Sequence, residues 1–169
     1  MDILVIGLRL IHVLGGVTWA GGAIAMTYFI MPSIMSTAEA GQKFMGHLMT
    51  QTRFSMIMTV AGFATVLAGF TLYGIDSAWF SSAWMSAGPG IGFGIGAVFA
   101  LVGLGAGIMI PRTGAAMAAL GAQIKGAPTP EQATQLAALR QRQMLISKVN
   151  GYSLIIATLM MATARYWRF

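Results

Sequence analysis

Residues 89–110 read PGIGFGIGAVFALVGLGAGIMI, and no charged side chain interrupts them. A helix rises about 1.5 Å per residue, so about 20 apolar residues cross a hydrocarbon core of roughly 30 Å. This stretch is long enough, and so are residues 10–30, 54–75 and 144–164. A soluble chain of 169 residues has too little interior to hide four such segments. Composition agrees: 57% of residues are hydrophobic and 8% charged, with a mean hydropathy of +0.76. The sequence therefore predicts an all-α integral membrane protein of one domain. Its expected form is a four-helix transmembrane bundle of two helical hairpins with cytoplasmic helical extensions.

The glycines of the third segment imitate a nucleotide-binding loop, but no register gives a dinucleotide fingerprint and no strand precedes them. Small residues in a membrane helix let backbones approach closely. Gly92, Gly96, Gly103 and Gly107 are accordingly read as packing surfaces, within the chain or between copies.

The net charge of +6 would suggest nucleic acid in a soluble protein; here the basic residues flank membrane segments, and no nucleic-acid partner is expected. Lys43, Arg53, Arg112, Lys125, Arg140, Arg142 and Lys148 fall on one side of the membrane, against Arg9, Arg165 and Arg168 on the other. The positive-inside rule makes the richer side cytoplasmic and both termini external, in a cytoplasmic (inner) membrane. Tyr73, Trp79, Trp84, Tyr166 and Trp167 suit the outer interface. The N-terminus has Asp2 where a signal peptide would be basic, so its apolar run reads as a retained first span. Membrane lipids are the expected surroundings, and Lys148 is expected to snorkel to the headgroups.

Two cytoplasmic connections carry helix-start signals. Ser36-Thr37-Ala38-Glu39 and Thr129-Pro130-Glu131-Gln132 both fit a capping box, the second with proline at the first helical position. The second and fourth helices are thus expected to begin well before the bilayer. Gly126-Ala127-Pro128 separates the third helix from the fourth within a cytoplasmic hairpin over residues 112–143.

Chemistry has few carriers. There is no cysteine, which excludes disulfides, thiolate metal sites and cysteine nucleophiles. The spans lack acids, which leaves no hydrolytic constellation and disfavours a proton- or cation-coupled transporter. What remains is one face of the first span, where Arg9, His12, Gly16, Trp19, Ala23 and Met26 recur at steps of three and four. His12 is either a neutral imidazole bonded to a neighbouring helix or a ligand to haem or a metal. Met160 and Met161 should return to its depth, and imidazole with thioether suits haem b or Cu(I). Arg9 and Arg165 would offer contacts to an anion, either a haem propionate or a lipid phosphate. His47 lies roughly 35 Å away along the membrane normal, which excludes joint ligation with His12 in one chain. A symmetric dimer gives a second route to two imidazoles.

The run Leu8-Arg9-Leu10-Ile11-His12 followed by Trp19-Ala20-Gly21-Gly22 resembles the first helix of copper-resistance D (CopD)-type membrane proteins. In both, Arg-x-x-His precedes Trp-x-Gly-Gly by the same seven-residue step from His to Trp. The ending Met161-Ala162-Thr163-Ala164-Arg165-Tyr166 is similar to the close of small relatives in that group. HemJ-type protoporphyrinogen oxidases are similar in size, span number and the seven-residue step from His to Trp, but differ after the Trp. The resemblance implies a small redox or metal-handling membrane protein that binds haem b or copper near His12, with Arg9, Trp19 and Arg165 around the cofactor and Met160 or Met161 as further ligand. Two other functions are expected as alternatives. One is a non-catalytic accessory subunit, packed through its glycine faces as a homo-oligomer or within a larger membrane complex; the other is HemJ-like porphyrinogen oxidation.

Overall fold

The computed structural model describes residues 2–169 and is all-α, with four helices long and apolar enough to cross a membrane. The chain is a multi-pass membrane protein. The first crossing runs through α1 (Ile3–Ala25), a π-turn (Met26–Ile30) and α2 (Met31–Ser36) as one rod. A separate helix α3 (Ala38–Gln51) precedes the second crossing, α4 (Phe54–Asp76). After the short α5 (Ser82–Met85), α6 (Gly88–Gln123) and α7 (Pro130–Thr163) make the third and fourth. Contacts are heaviest within the hairpins α1/α4 and α6/α7, and lighter seams α1/α7 and α4/α6 close the bundle. Both termini share one side, called here the terminal side; the other is the hairpin side.

The seams are built from small residues. Ala61, Gly62, Thr65 and Ala68 are buried on α4, and α1 places Trp19 and His12 against that strip. On α6, a Cβ at Gly92 would lie 2.8 Å from the Ala164 Cβ, one at Gly96 2.8 Å from the Met161 Cγ, and one at Gly103 2.8 Å from the Leu154 Cδ2. At Gly92, against the Ala164 backbone, only hydrogen fits; at Gly96 and Gly103 a larger residue would first have to displace the facing side chain. Trp19, Ala23, Ala61, Ala100, Leu154 and Ala157 form the buried centre where all four helices meet.

These contacts also align the helices in depth. Arg9 faces Asp76, Gly22 faces Met58, and Thr27 bonds Ser147 on α7. Arg53, Arg112 and Lys148 then fall within about one helical turn of the Thr27 level, and Arg165 within about one turn of the Arg9 level. The two charged layers are 18 residues apart along the first rod, about 27 Å, close to the thickness of a hydrocarbon core.

The helix of the first span runs on past residue 30 to Ser36, and α6 passes through Pro111 to Gln123, as expected for a helical hairpin over residues 112–143. Two features differ from the sequence reading. The second helix has no continuous extension: Thr52 is extended and ends α3, which folds back beside α2 before α4 begins. The first capping box does not form either. The Ser36 and Thr37 hydroxyls donate to the Ser33 carbonyl at 2.9 and 2.8 Å, satisfying the helix they end rather than the one they precede. At Thr129 the box is complete, with both Thr129–Gln132 bonds present and Pro130 in the first turn.

The α4–α5 connection turns through three consecutive left-handed residues, Ala78, Trp79 and Phe80, with φ of 50°, 59° and 71°. Each such non-glycine residue costs roughly 1–2 kcal/mol. Compensation comes from the fully buried Ser77, whose hydroxyl accepts from the Phe80 N–H and donates to the Gly74 carbonyl. Trp79 also donates its N–H to the Gly74 carbonyl and lays its ring against Gly74.

Candidate functional site

His12 is held by α4. A Cβ at Gly69 would stand 2.6 Å from its Cε1, so glycine is what lets the imidazole lie against the α4 backbone. From there Nδ1 reaches the Thr65 carbonyl at 2.8 Å. A carbonyl only accepts, so Nδ1 carries a proton, and Nε2 is the ring nitrogen not engaged by this bond. The Thr65 hydroxyl turns away and donates to the Ala61 carbonyl at 2.7 Å. The geometry yields a half-buried imidazole anchored through Nδ1, one turn below the terminal-side layer. Metal-bound histidines are commonly oriented by this kind of bond from the other ring nitrogen.

The remaining residues singled out in the sequence are placed as follows. Arg9 lies 4.0 Å from Asp76, at the limit of an ion pair, with both side chains well exposed and therefore weakly coupled. Arg165 is exposed in the 3-10 turn that follows α7. Trp19 is 4% exposed and packs on Gly62 in the centre of the bundle, a core position two turns below His12. Met160 and Met161 lie against Gly96 of α6, about one turn deeper than His12, and none of the described contacts joins them to it. His47 is exposed on α3, beyond the hairpin-side layer. Among the described residues, no three His, Asp or Glu side chains converge. Open surface depressions lie between α2 and α3 and at the start of α7, away from His12.

A second polar group lies in the other half of the bundle. Asn150, 2% exposed, donates through Nδ2 to the Gly103 carbonyl at 2.7 Å. Thr27 donates to the Ser147 carbonyl at 3.1 Å, and Tyr28 meets Tyr152 edge-on at 5.9 Å. The Tyr28 hydroxyl is enclosed without a hydrogen-bond partner among the described residues. Sequence reasoning passed over this group. Asn150 was its available signal, a lone amide inside an apolar span. Thr65 and Gly69 gave no signal, because a backbone carbonyl acceptor and a missing side chain leave no mark in a residue pattern.

No protein-family model, no curated protein and no solved structure matches this chain. Fold and site define a class: a four-span, all-α membrane protein with one oriented imidazole near the terminal-side layer.

Proposed function

We propose that this protein is a small redox or metal-handling membrane protein in which His12 ligates haem b or copper through Nε2. The observation that carries the reading is the 2.8 Å bond from Nδ1 to the Thr65 carbonyl, which anchors the ring and leaves Nε2 unengaged. Among the described residues, no contact joins Met160 or Met161 to His12. Coordination is therefore completed from a second copy or a partner, and Arg9 and Arg165 are the cations available to an anionic group at that depth. The bias of seven basic residues to three supports a cytoplasmic hairpin side and external termini in the inner membrane, which reporter fusions at residue 125 and at the C-terminus test. A cytoplasmic C-terminus would overturn that orientation.

A second reading is favoured by the same bond. An imidazole already satisfied by a helix carbonyl is a complete structural element, and α1 leaves most of its apolar surface uncovered. On this reading the chain is a non-catalytic subunit of a larger complex. An absorption spectrum with metal analysis of the purified protein separates the two. A haem Soret band, or stoichiometric copper, that disappears in His12→Ala and persists in His47→Ala supports ligation. Absence of both from the wild-type protein makes the subunit reading the better one.

A further inference from the structure

Two of the four crossings are interrupted at the hairpin-side charged layer. In the first rod, the Met31 N–H donates to the Met26 carbonyl five residues back instead of four, which breaks the α-helical ladder within Met26–Ile30. Between α3 and α4, Thr52 is extended and no ladder passes through it. Thr27 and Arg53 stand within about one helical turn of each other in depth, so the two interruptions lie side by side. The other two crossings, α6 and α7, pass this depth as unbroken helices, with Thr113, Leu120 and Ile146 buried along them.

The segment between the interruptions, α2 with α3, is closed on itself. The two helices meet at the buried Gly41, where a Cβ would stand 2.6 Å from the Thr37 hydroxyl and 2.7 Å from the Ile34 Cα. At their turn the Ser36 and Thr37 hydroxyls both donate to the Ser33 carbonyl. Attachment to the bundle is slight by comparison. Among the described residues, neither α2 nor α3 approaches α6 or α7. Across the α3–α4 joint, the Ser55 hydroxyl meets the Met49 sulfur at 3.4 Å, and a thioether is a weak acceptor.

The first joint also carries a cost. Thr27 is pinned to α7 by its 3.1 Å bond to the Ser147 carbonyl. The next residue, Tyr28, packs edge-on against Tyr152, and its hydroxyl is enclosed with no hydrogen-bond partner among the described residues. An enclosed, unpaired hydroxyl is unfavourable, and in native structures such groups mark places where strain is held. Loosening the joint admits water to that hydroxyl and removes the penalty. Residues at element ends and in π-turns are those that absorb backbone change in hinged motions.

We propose that α2 and α3 form a hinged arm, which swings as one body about Met26–Ile30 and Thr52–Arg53 while the four crossings stay in place. The unpaired Tyr28 hydroxyl biases this arm away from the closed position described above.

The chain contains no cysteine, so pairs of introduced cysteines can carry spin labels unambiguously. In lipid nanodiscs, electron–electron distance measurements between Lys43→Cys on the arm and Gln135→Cys on α7 should give a broad or two-peaked distribution. The pair Ser82→Cys and Gln135→Cys spans the bundle without including the arm and should give one narrow peak; all three positions are exposed. A narrow arm distribution, or equal breadth in both pairs, would overturn the hinge. Labels at Met35→Cys and Lys43→Cys, both within the arm, should report a single separation; a spread there would show that α2 and α3 part, and the arm would not be one body. Tyr28→Phe removes the hydroxyl and keeps the ring, so it should raise the ratio of closed to open arm about five- to a hundredfold. An arm distribution unchanged or broadened by Tyr28→Phe would overturn the role of the hydroxyl. Should that variant not fold, the label pairs in the otherwise unaltered chain still decide the hinge.

Discussion

Replacing Gly69 by alanine should move the His12 ring without altering His12. The new Cβ would stand 2.6 Å from Cε1, where ordinary contact begins at 3.4 Å, so the ring must retreat by about 0.8 Å. That retreat lengthens the 2.8 Å bond to the Thr65 carbonyl by up to about 0.8 Å, toward the limit of hydrogen bonding. Loss of that bond costs about 0.5–1.5 kcal/mol, and the low end suits a membrane interior. Overpacking adds about 1–3 kcal/mol, and alanine returns up to about 1 kcal/mol of helix propensity. The expected net destabilisation is about 1–2 kcal/mol. His12→Ala removes the ring and the clash with it, so Gly69→Ala should cost little in that background. The assay is a double-mutant cycle of unfolding in mixed micelles titrated with dodecyl sulfate, followed by helical circular dichroism. A coupling of at least about 1 kcal/mol is expected. If the two changes add to within about 0.5 kcal/mol, the imidazole does not lie against Gly69, and its anchoring through Nδ1 loses its basis.

Two further substitutions in one helix should have opposite effects. Gly92→Ala sets a methyl against the Ala164 Cα at 2.9 Å and should destabilise by about 1–3 kcal/mol, whereas Gly105→Ala meets nothing within 4 Å and should be neutral or stabilising in thermal melts. Equal shifts would show that the α6/α7 seam is not as described. Thr129→Ala removes a complete capping box and should fray the start of α7 by about 0.5–2 kcal/mol, read as faster amide exchange over residues 131–136. The neighbouring Glu131 gives a pH dependence of defined sign. A hydrogen bond from its own backbone N–H, then one from Thr129, hold its carboxyl below the ordinary value of 4.5. A depressed folded-state pKa stabilises above the ordinary value and is lost as pH falls through the lowered one. Protection of that first turn, corrected for intrinsic exchange, should therefore decline as pH falls below the ordinary value of 4.5 and through the lowered one.

The number of spans, their hairpin order and the start of α7 were legible in the sequence because each is a local property. An uninterrupted apolar run reports the solvent around a helix, whatever its neighbours, and the Thr129 box closes within four residues. Ser36 to Glu39 presents the same local pattern, yet tertiary context overrode it. There α3 had to turn back tightly through Gly41, and the hydroxyls were taken by carbonyls already present at the end of α2. The face bearing Arg9, His12 and Trp19 was also legible, since helical periodicity fixes which residues of one helix share a side. What that face meets was not. Thr65 reaches His12 through a backbone carbonyl, and Gly69 does so by having no side chain. Arg9 is drawn to Asp76, 67 residues away in the chain. Met160 and Met161 turn to Gly96 because that glycine leaves room for them. The sequence alone determined that this chain lives in a membrane, how often it crosses, and that His12 is the one imidazole inside the crossings. Only the tertiary structure decided which carbonyl orients that imidazole and where α3 lies, because close approach between helices depends on the shape of both surfaces at once.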